Sequence, residues 1–362
     1  MIKTGGEVEM KRKGFLVSLI VLLGFVMVVL AGCSNKAGTK TTSGEATKTD
    51  VLQKITITEP ARGDLWAPIY LAQTLGYFKE AGLDVDFQTV TGGDPGAPVL
   101  VGEAQFGLRG IEMPLIVTQA GKEVKVLVST SQKFPYAFIA QGPKFTTIES
   151  LKGQVVGAST PSGSPTAWIK ACLSYGGLDP STDVQLPSMQ NSAYIAAMKN
   201  GNVAAVCGSN GYLVNKLMAN GGVMLVDGRD TEVFKKIMGS ETYEMYIMFA
   251  TDKYIKENPE TVQKVVTACA KGIQWVNMHS TEEIEEALLP LFPDRREELL
   301  ISIADSKKYD LYSKDGKHTK TGYQAALKLG EYAGIVTQEV PEEKIYNETF
   351  LDTAWNTLKN KQ

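Results

Sequence analysis

The 362-residue sequence predicts an α/β chain folded as two lobes. Each lobe is a mainly parallel sheet flanked by helices, with a cleft between the two. Three observations predict it. Short apolar runs alternate with helical patterns from Ile55 onward, the pattern of βαβ units. The rhythm is played twice, over 55–128 and again over 154–226, and the chain has length enough for a core in each block. From Pro259 onward the pattern is mostly helical, which predicts helices folded back over the two blocks.

The segment ahead of the first block has a different character. Lys11, Arg12 and Lys13 precede an uncharged run from Gly14 to Gly32, rich in Leu, Val, Ile and Phe. A basic cluster before an apolar stretch is the layout of a secretory signal. A membrane-spanning helix, which needs about 18 or more apolar residues, is the alternative. The end of the run decides between them. Leu30-Ala31-Gly32-Cys33 resembles the lipobox of bacterial lipoproteins, which implies that residues 1–32 are removed and that Cys33 becomes an acylated N-terminus. Each buried methylene contributes about 0.8 kcal/mol, so two or three acyl chains hold a protein where one would release it. Ser34–Asp50 (SNKAGTKTTSGEATKTD) has no large apolar residue and cannot bury enough surface to fold. As a flexible coil it spans about 20 Å. The expected location is therefore the outer face of a bacterial membrane, reached through a lipid anchor.

Residues 1–32 hold four of the 37 basic and two of the 40 acidic residues, so the remainder carries 33 against 38, a net charge of −5. That balance offers no electrostatic footprint for nucleic acid. Beyond Cys33 the cysteines are Cys172, Cys207 and Cys269, an odd number. Cys172 and Cys269 fall on apolar helix stripes and read as buried small hydrophobes. No spacing suggests a metal site, and no cofactor is implied. His279 and His318 stand in polar settings and read as surface residues.

In chain order, the pattern predicts a strand at 55–58, a helix at 66–81 closed by Gly82, and a strand at 85–90. A short helix at 98–102, a strand at 105–108, a helix at 114–120 and a strand at 124–128 complete the first block. The second block is a strand at 154–157, a helix at 164–175 stopped by Gly176-Gly177, a strand at 183–186, and a helix at 192–199 ended by Asn200-Gly201. Then follow a strand at 203–207, a helix at 212–219 and a strand at 223–226. Helices are expected at 259–279, 281–289, 294–305, 321–332 and 341–358. Segments 134–141 and 246–251 are the expected hinge crossings. Lobe I is then 51–135 with 246–362, and lobe II is 136–245.

In open α/β sheets ligands sit outside the carboxyl ends of the strands. Four loops occupy that place: Glu59–Trp66, Arg109–Pro114, Ser159–Pro165 and Gly208–Gly211. Each leads into a helix N-terminus, whose free N–H groups favour an acceptor or anionic group. Thr160, Ser162, Gly163 and Ser164 form the third loop, where small residues admit a ligand to the backbone and hydroxyls add donors. Ser162 or Ser164 acting as a helix cap is the competing reading, and the two roles can coexist. Trp66 either stacks on a ligand or closes the core. Arg109 and Glu112 either contact a ligand or pair with each other. Arg62 and Asp64 in the first loop, Gly110 in the second, and Tyr194, Asn210 and Tyr246 at the cleft rim complete the ligand candidates, with Tyr136 and Asn191 as weaker choices. No residue is assigned a catalytic role.

Long stretches carry a family resemblance. APIYLAQTLGYFKEAGLDVDF (67–87), GEAQFGLRGIEMPLI (102–116), SLKGQVVGASTPSGSPTAWIKACLSYGGLDP (150–180), AAMKNGNVAAVCG (196–208) and the segment 256–293 resemble the substrate-binding proteins of ABC importers. The group in question includes nitrate-, sulfonate-, taurine- and thiamine-precursor-binding proteins, the NMT1/THI5-like group. The resemblance implies a two-lobed periplasmic-binding-protein fold, type II-like. It implies a monomer that captures a small solute and delivers it to a membrane permease and its ATPase. Carried over by position, its ligand contacts fall on Trp66, Gly110, Glu112 and Ser162–Ser164. An acidic Glu112 beside Arg109 departs from members that bind inorganic anions, and points to a polar organic molecule with a donor or amine and a planar ring against Trp66. A ligand sensor docking on a membrane receptor is an alternative. A thiamine-pyrimidine enzyme is another, although that group's reactive histidine and cysteine-rich motif have no match here.

Overall fold

The computed structural model describes residues 51–90, 94–161 and 163–360. The signal segment, Cys33, the linker to Asp50 and the candidate Ser162 lie outside these residues. Nine strands among them are β1 (Gln53–Glu59), β2 (Leu83–Thr89), β3 (Phe106–Arg109), β4 (Val124–Ser129), β5 (Ala137–Gln141), β6 (Val156–Gly157), β7 (Ala205–Gly208), β8 (Gly222–Asp227) and β9 (Ile247–Thr251). They form a five-stranded sheet in the order β2-β1-β3-β9-β4 and a four-stranded sheet in the order β6-β7-β5-β8.

β1 shows how the sequence sets this up. Ile55 and Ile57 are buried and alternate with more exposed Lys54 and Thr56, as a strand's period of two requires. β1 pairs in parallel with β2, Ile55 opposite Val85, and with β3, Ile57 opposite Phe106. β9 runs antiparallel to both β3 and β4. In the second sheet β6 and β7 are parallel, and β5 is antiparallel to β7 and β8. Each sheet is thus mixed, with one antiparallel strand. In each case that strand is the one arriving from the other sheet: β5 follows β4, and β9 follows β8.

Some elements differ from the sequence expectation. The helix expected at 66–81 is a 3-10 turn at Asp64–Trp66, then Ala67–Thr74, then Tyr77–Glu80. Gly76 breaks it with a φ of 81°, a conformation glycine adopts without a Cβ clash. Segment 183–186 makes only isolated parallel bridges, Gln185 to Val155, joined by Ser188 to Ala158. Pro187 between them has no N–H to donate to a ladder. The expected helix at 192–199 starts as a 3-10 turn, Asn191–Ala193, before Tyr194–Lys199. A helix at Thr231–Met238 was not expected, although its signals are local. Asp230 accepts from the N–H groups of Glu232 and Val233, and Gly239 ends the helix at a φ of 82°.

The 20-residue helix Pro259–Met278 packs against Ala67–Thr74. Gly272 permits the contact, because a Cβ there would overlap the Pro68 carbonyl oxygen. Helix Lys320–Ala333 lies on Ser164–Tyr175, and helix Arg296–Lys308 touches both Thr281–Leu288 and Gly211–Ala219. One core cluster gathers around Phe134, which stacks on Phe234 at 4.9 Å and meets Trp168 at 4.4 Å and the edge of Tyr243 at 5.1 Å. Cys172, Cys207 and Cys269 are free and buried, and burial raises each thiol's pKa. The histidines are less exposed than their surroundings in sequence suggest. His279 stacks on Trp275 at 3.8 Å. His318 lies flat on Tyr346 at 3.6 Å with a carboxylate at each ring nitrogen. No described helix is long and apolar enough to cross a membrane.

Candidate functional site

A cavity of about 890 Å³ opens where the strand ends of the two sheets face each other. Loops from both sheets line it. Arg62, Asp64 and Trp66 follow β1, while Arg109 and Gly110 end β3. Thr160, Gly163 and Ser164 follow β6, and Asn210 follows β7. Tyr136 and Tyr246 stand where the chain crosses between sheets.

The first loop is anchored by a residue that sequence reasoning did not single out. Glu59, at the end of β1, is fully buried. Arg62 donates to its Oε1 through Nε at 3.0 Å and Nη2 at 2.9 Å, and Thr89 donates to the same oxygen at 2.9 Å. The Tyr70 hydroxyl donates to Oε2. Arg62 Nη1 reaches the Leu291 carbonyl at 3.0 Å, and its guanidinium lies over the rings of Tyr70 and Phe87. Arg62 therefore lines the cavity with its charge already matched.

Asp64 and Trp66 sit in the 3-10 turn that follows. Asp64 accepts from Ser306 Oγ at 3.0 Å. Burial pushes its carboxyl up to about 6. Trp66 is 5% exposed and meets Tyr246 edge-on at 4.7 Å. It therefore belongs to the core and to the cavity wall together. Its indole Nε1 has no hydrogen-bond partner among the described residues, a cost that a buried donor bears unless something enters the cavity to accept from it. Burial, followed by the neighbouring Tyr246, raises the Tyr136 hydroxyl well above its ordinary value.

Arg109 stands 3.5 Å from Asp94 and makes no hydrogen bond through its buried Nε. Glu112 does not pair with it and does not reach the cavity lining. It is 2% exposed, and both of its oxygens are taken: Tyr243 donates to Oε1 at 2.8 Å and Ser164 to Oε2 at 2.6 Å. Ser164 belongs to the helix Ser164–Tyr175 beside the four-stranded sheet, so this hydrogen bond joins the two halves at the back of the cavity. Gly110 is required there, because a Cβ would collide with Glu112 and Ser164. The cap position of that helix is Gly163, with no side-chain cap, so capping is not what occupies Ser164.

Asn210 lines the cavity and also caps the helix Gly211–Ala219, accepting from Leu213 N at 2.8 Å. Asn191 donates to Ser209 Oγ at 3.1 Å. Tyr194 is placed elsewhere: it is fully buried beneath the four-stranded sheet with Ile139 and Val206. Tyr212, Lys216, Arg295 and Glu298 are the aromatic and charged lining side chains that escaped the sequence reading. Tyr212 and Lys216 stand one turn apart on the helix after β7; Tyr212 occupies the same first-turn position that drew attention to Trp66. Arg295 and Glu298 come from the C-terminal helices, paired at 2.5 Å, and Arg295 Nη1 donates to the Arg62 carbonyl at 3.2 Å. No local pattern marks that turn as part of a site.

Residues 65–283 match the model of a family described as NMT1/THI5 like. The chain belongs to that family. This NMT1/THI5-like chain is 26% identical over 333 residues to binding protein YtlA of Bacillus subtilis, an alignment covering 89% of this chain and 92% of YtlA. It is 24% identical over 271 residues to riboflavin-binding protein RibY of Chloroflexus aurantiacus, covering 70% and 73% of the two chains. Among solved structures it is similar to the periplasmic sulfonate-binding protein SsuA of Methylobacillus flagellatus, with a TM-score of 0.61 at 18% identity over 85% of this chain and 96% of SsuA. The likeness shows the fold: two mixed α/β halves of the periplasmic-binding-protein type.

Proposed function

We propose that this chain is the extracytoplasmic solute-binding protein of an ABC importer, and that it binds its solute without converting it. The observation that carries the reading is the cavity between the two sheets, lined from both sides by strand-end loops. A ligand touching both halves favours their closed arrangement, which a partner permease then recognises. The lobes are 51–135 with 246–362 and 136–245, joined by the two crossings. The names of YtlA and RibY as binding proteins support the class.

The solute is a small polar organic molecule with a planar ring. Trp66, Tyr136, Tyr212 and Tyr246 supply aromatic walls, and RibY is named for a planar heteroaromatic ligand. Arg109, Thr160, Ser164 and Asn210 supply polar contacts, while Glu112 orients Ser164 from behind. His279 and His318 are engaged with Trp275 and with Glu342 and Glu348, and neither lines the described cavity. Cys33 carries the lipid anchor, and the working partners are a membrane permease and its ATPase.

A thermal-shift screen of residues 51–362 against sulfonates, amines and heterocycles tests the reading. One compound class raises the melting temperature by an amount that grows with concentration, as a ligand that binds only the native state requires, and mass spectrometry recovers it unchanged. Product formation, or a stabilising compound whose effect survives Arg109→Ala and Trp66→Phe together, overturns it. For the anchor, Cys33→Ser releases the protein from membranes, and labelled palmitate entering that variant counts against it.

A further inference from the structure

The charges around the cavity are nearly all matched within the protein. Arg62 is held by Glu59 at 2.9 Å and Arg295 by Glu298 at 2.5 Å, while Arg109 faces Asp94 at 3.5 Å. Lys216 lacks an ion pair among the described residues and lies over the Tyr212 ring at 4.2 Å; of the two lining acids, Asp64 is the one without a cation. It is 8% exposed and lines the cavity. Among the described residues no cation lies within 4 Å of its carboxylate, and the single side-chain donor to it is the Ser306 hydroxyl. Its own backbone N–H is the other donor, and a buried carboxylate with two neutral donors and no cation is short of partners. From the cavity's placement of this under-satisfied acid beside the Trp66–Tyr246 wall, we infer that Asp64 selects the solute, accepting from a cationic amine or amidine borne by its planar ring. The inference rests on the reading of the cavity as a solute site.

The charged and titratable groups that face Asp64 agree with it. Burial is the main reason that its pKa rises to about 6, and Asp305 and Glu298 on the helix Arg296–Lys308 push the same way. Arg295 at the start of that helix feels Asp64 without reaching it. Tyr312 and Tyr246 are the remaining neighbours, both held neutral by burial. A ligand cation supplies the counter-charge that this surrounding lacks. A group held for a ligand costs stability when the ligand is absent. A carboxyl with a raised folded pKa costs nothing below the unfolded value of 3.8; the cost to the empty protein builds as the pH rises from there to about 6 and is complete above it.

Two measurements on residues 51–362 test this. First, the empty Asp64→Asn variant melts about 3 °C above the wild type at pH 8, and the gap closes towards pH 4. A variant that melts lower at pH 8 overturns the inference, since the carboxylate then serves the fold through Ser306. Second, benzamidine and benzenesulfonate are titrated calorimetrically as matched aromatic cation and anion. The wild type binds benzamidine at least about tenfold more tightly than benzenesulfonate, Asp64→Asn removes the preference, and benzamidine affinity falls about tenfold from pH 7.5 to pH 5. Preferential binding of benzenesulfonate, or a cation preference that survives Asp64→Asn, overturns Asp64 as the selector while leaving the cavity a solute site. Binding of neither compound also overturns it, and the wider solute screen then decides the transport reading separately.

Discussion

Glu59 has no exposed surface, yet it accepts from Arg62, Thr89 and Tyr70 at once. A buried ion pair contributes little net stability, but removing one charge leaves the other uncompensated. Glu59→Gln is therefore expected to cost about 3–5 kcal/mol, read as a fall in the urea midpoint at constant slope, and to free Arg62 at the cavity. His318 makes a second residue-scale prediction. Burial alone would lower its pKa, but its hydrogen bonds to Glu348 and Glu342 outweigh that and hold it above 6.5. Both ring nitrogens donate only in the imidazolium. Its contribution is thus complete below the unfolded value and is lost as the pH rises through the higher folded one. The melting temperature of His318→Gln should fall furthest below wild type near pH 6, with the gap narrowing towards pH 9; a gap independent of pH would show that the clamp does not depend on charge.

At the scale of elements, the contact between Pro259–Met278 and Ala67–Thr74 depends on the bare backbone of Gly272. Gly272→Val forces the two helices apart and is expected to cost about 1–3 kcal/mol by overpacking, measured by denaturant titration, with the β1–β2 pairing intact by circular dichroism. Much of this scale was legible in the sequence. Helix 164–175 and the long helix from Pro259 announce themselves by apolar spacing, a proline in the first turn and glycine or polar stops. Thr231–Met238 carries equally plain signals in Asp230 and Gly239, short as it is between two strand-like runs. The weak strand near Gln185 shows the opposite failure. Its composition is strand-like, but pairing is a property of the neighbour as well, and only isolated bridges form.

At the scale of the whole molecule, one helix engages both sides of the cavity. On Arg296–Lys308, Ser306 donates to Asp64 after β1, while Asp305 holds Arg229, which is also bound by Asp227 at the end of β8. Arg229 is 5% exposed beneath Tyr309. Arg229→Ala leaves two acids facing each other without their cation. It should cost about 3–5 kcal/mol and raise amide exchange in 296–308 before it does so in the long helix from Pro259. Uniform loss of protection would instead mean that the tie stabilises the molecule only as a whole.

What the sequence determined by itself is the material of each half: the period of its strands, the stops of its helices, and the loops at strand ends that meet at the cavity. Those are local properties, carried by neighbours a few residues apart. What only the tertiary structure decided is which charges are already matched when they arrive. Glu112 reads as a ligand contact in the sequence, but the fold delivers Tyr243 and Ser164 to it from 131 and 52 positions away, whereas Asp64 gains a single side-chain hydroxyl from Ser306, 242 positions away. Partners that far apart in sequence meet only through packing, and no pattern short enough to read along the chain encodes their distance.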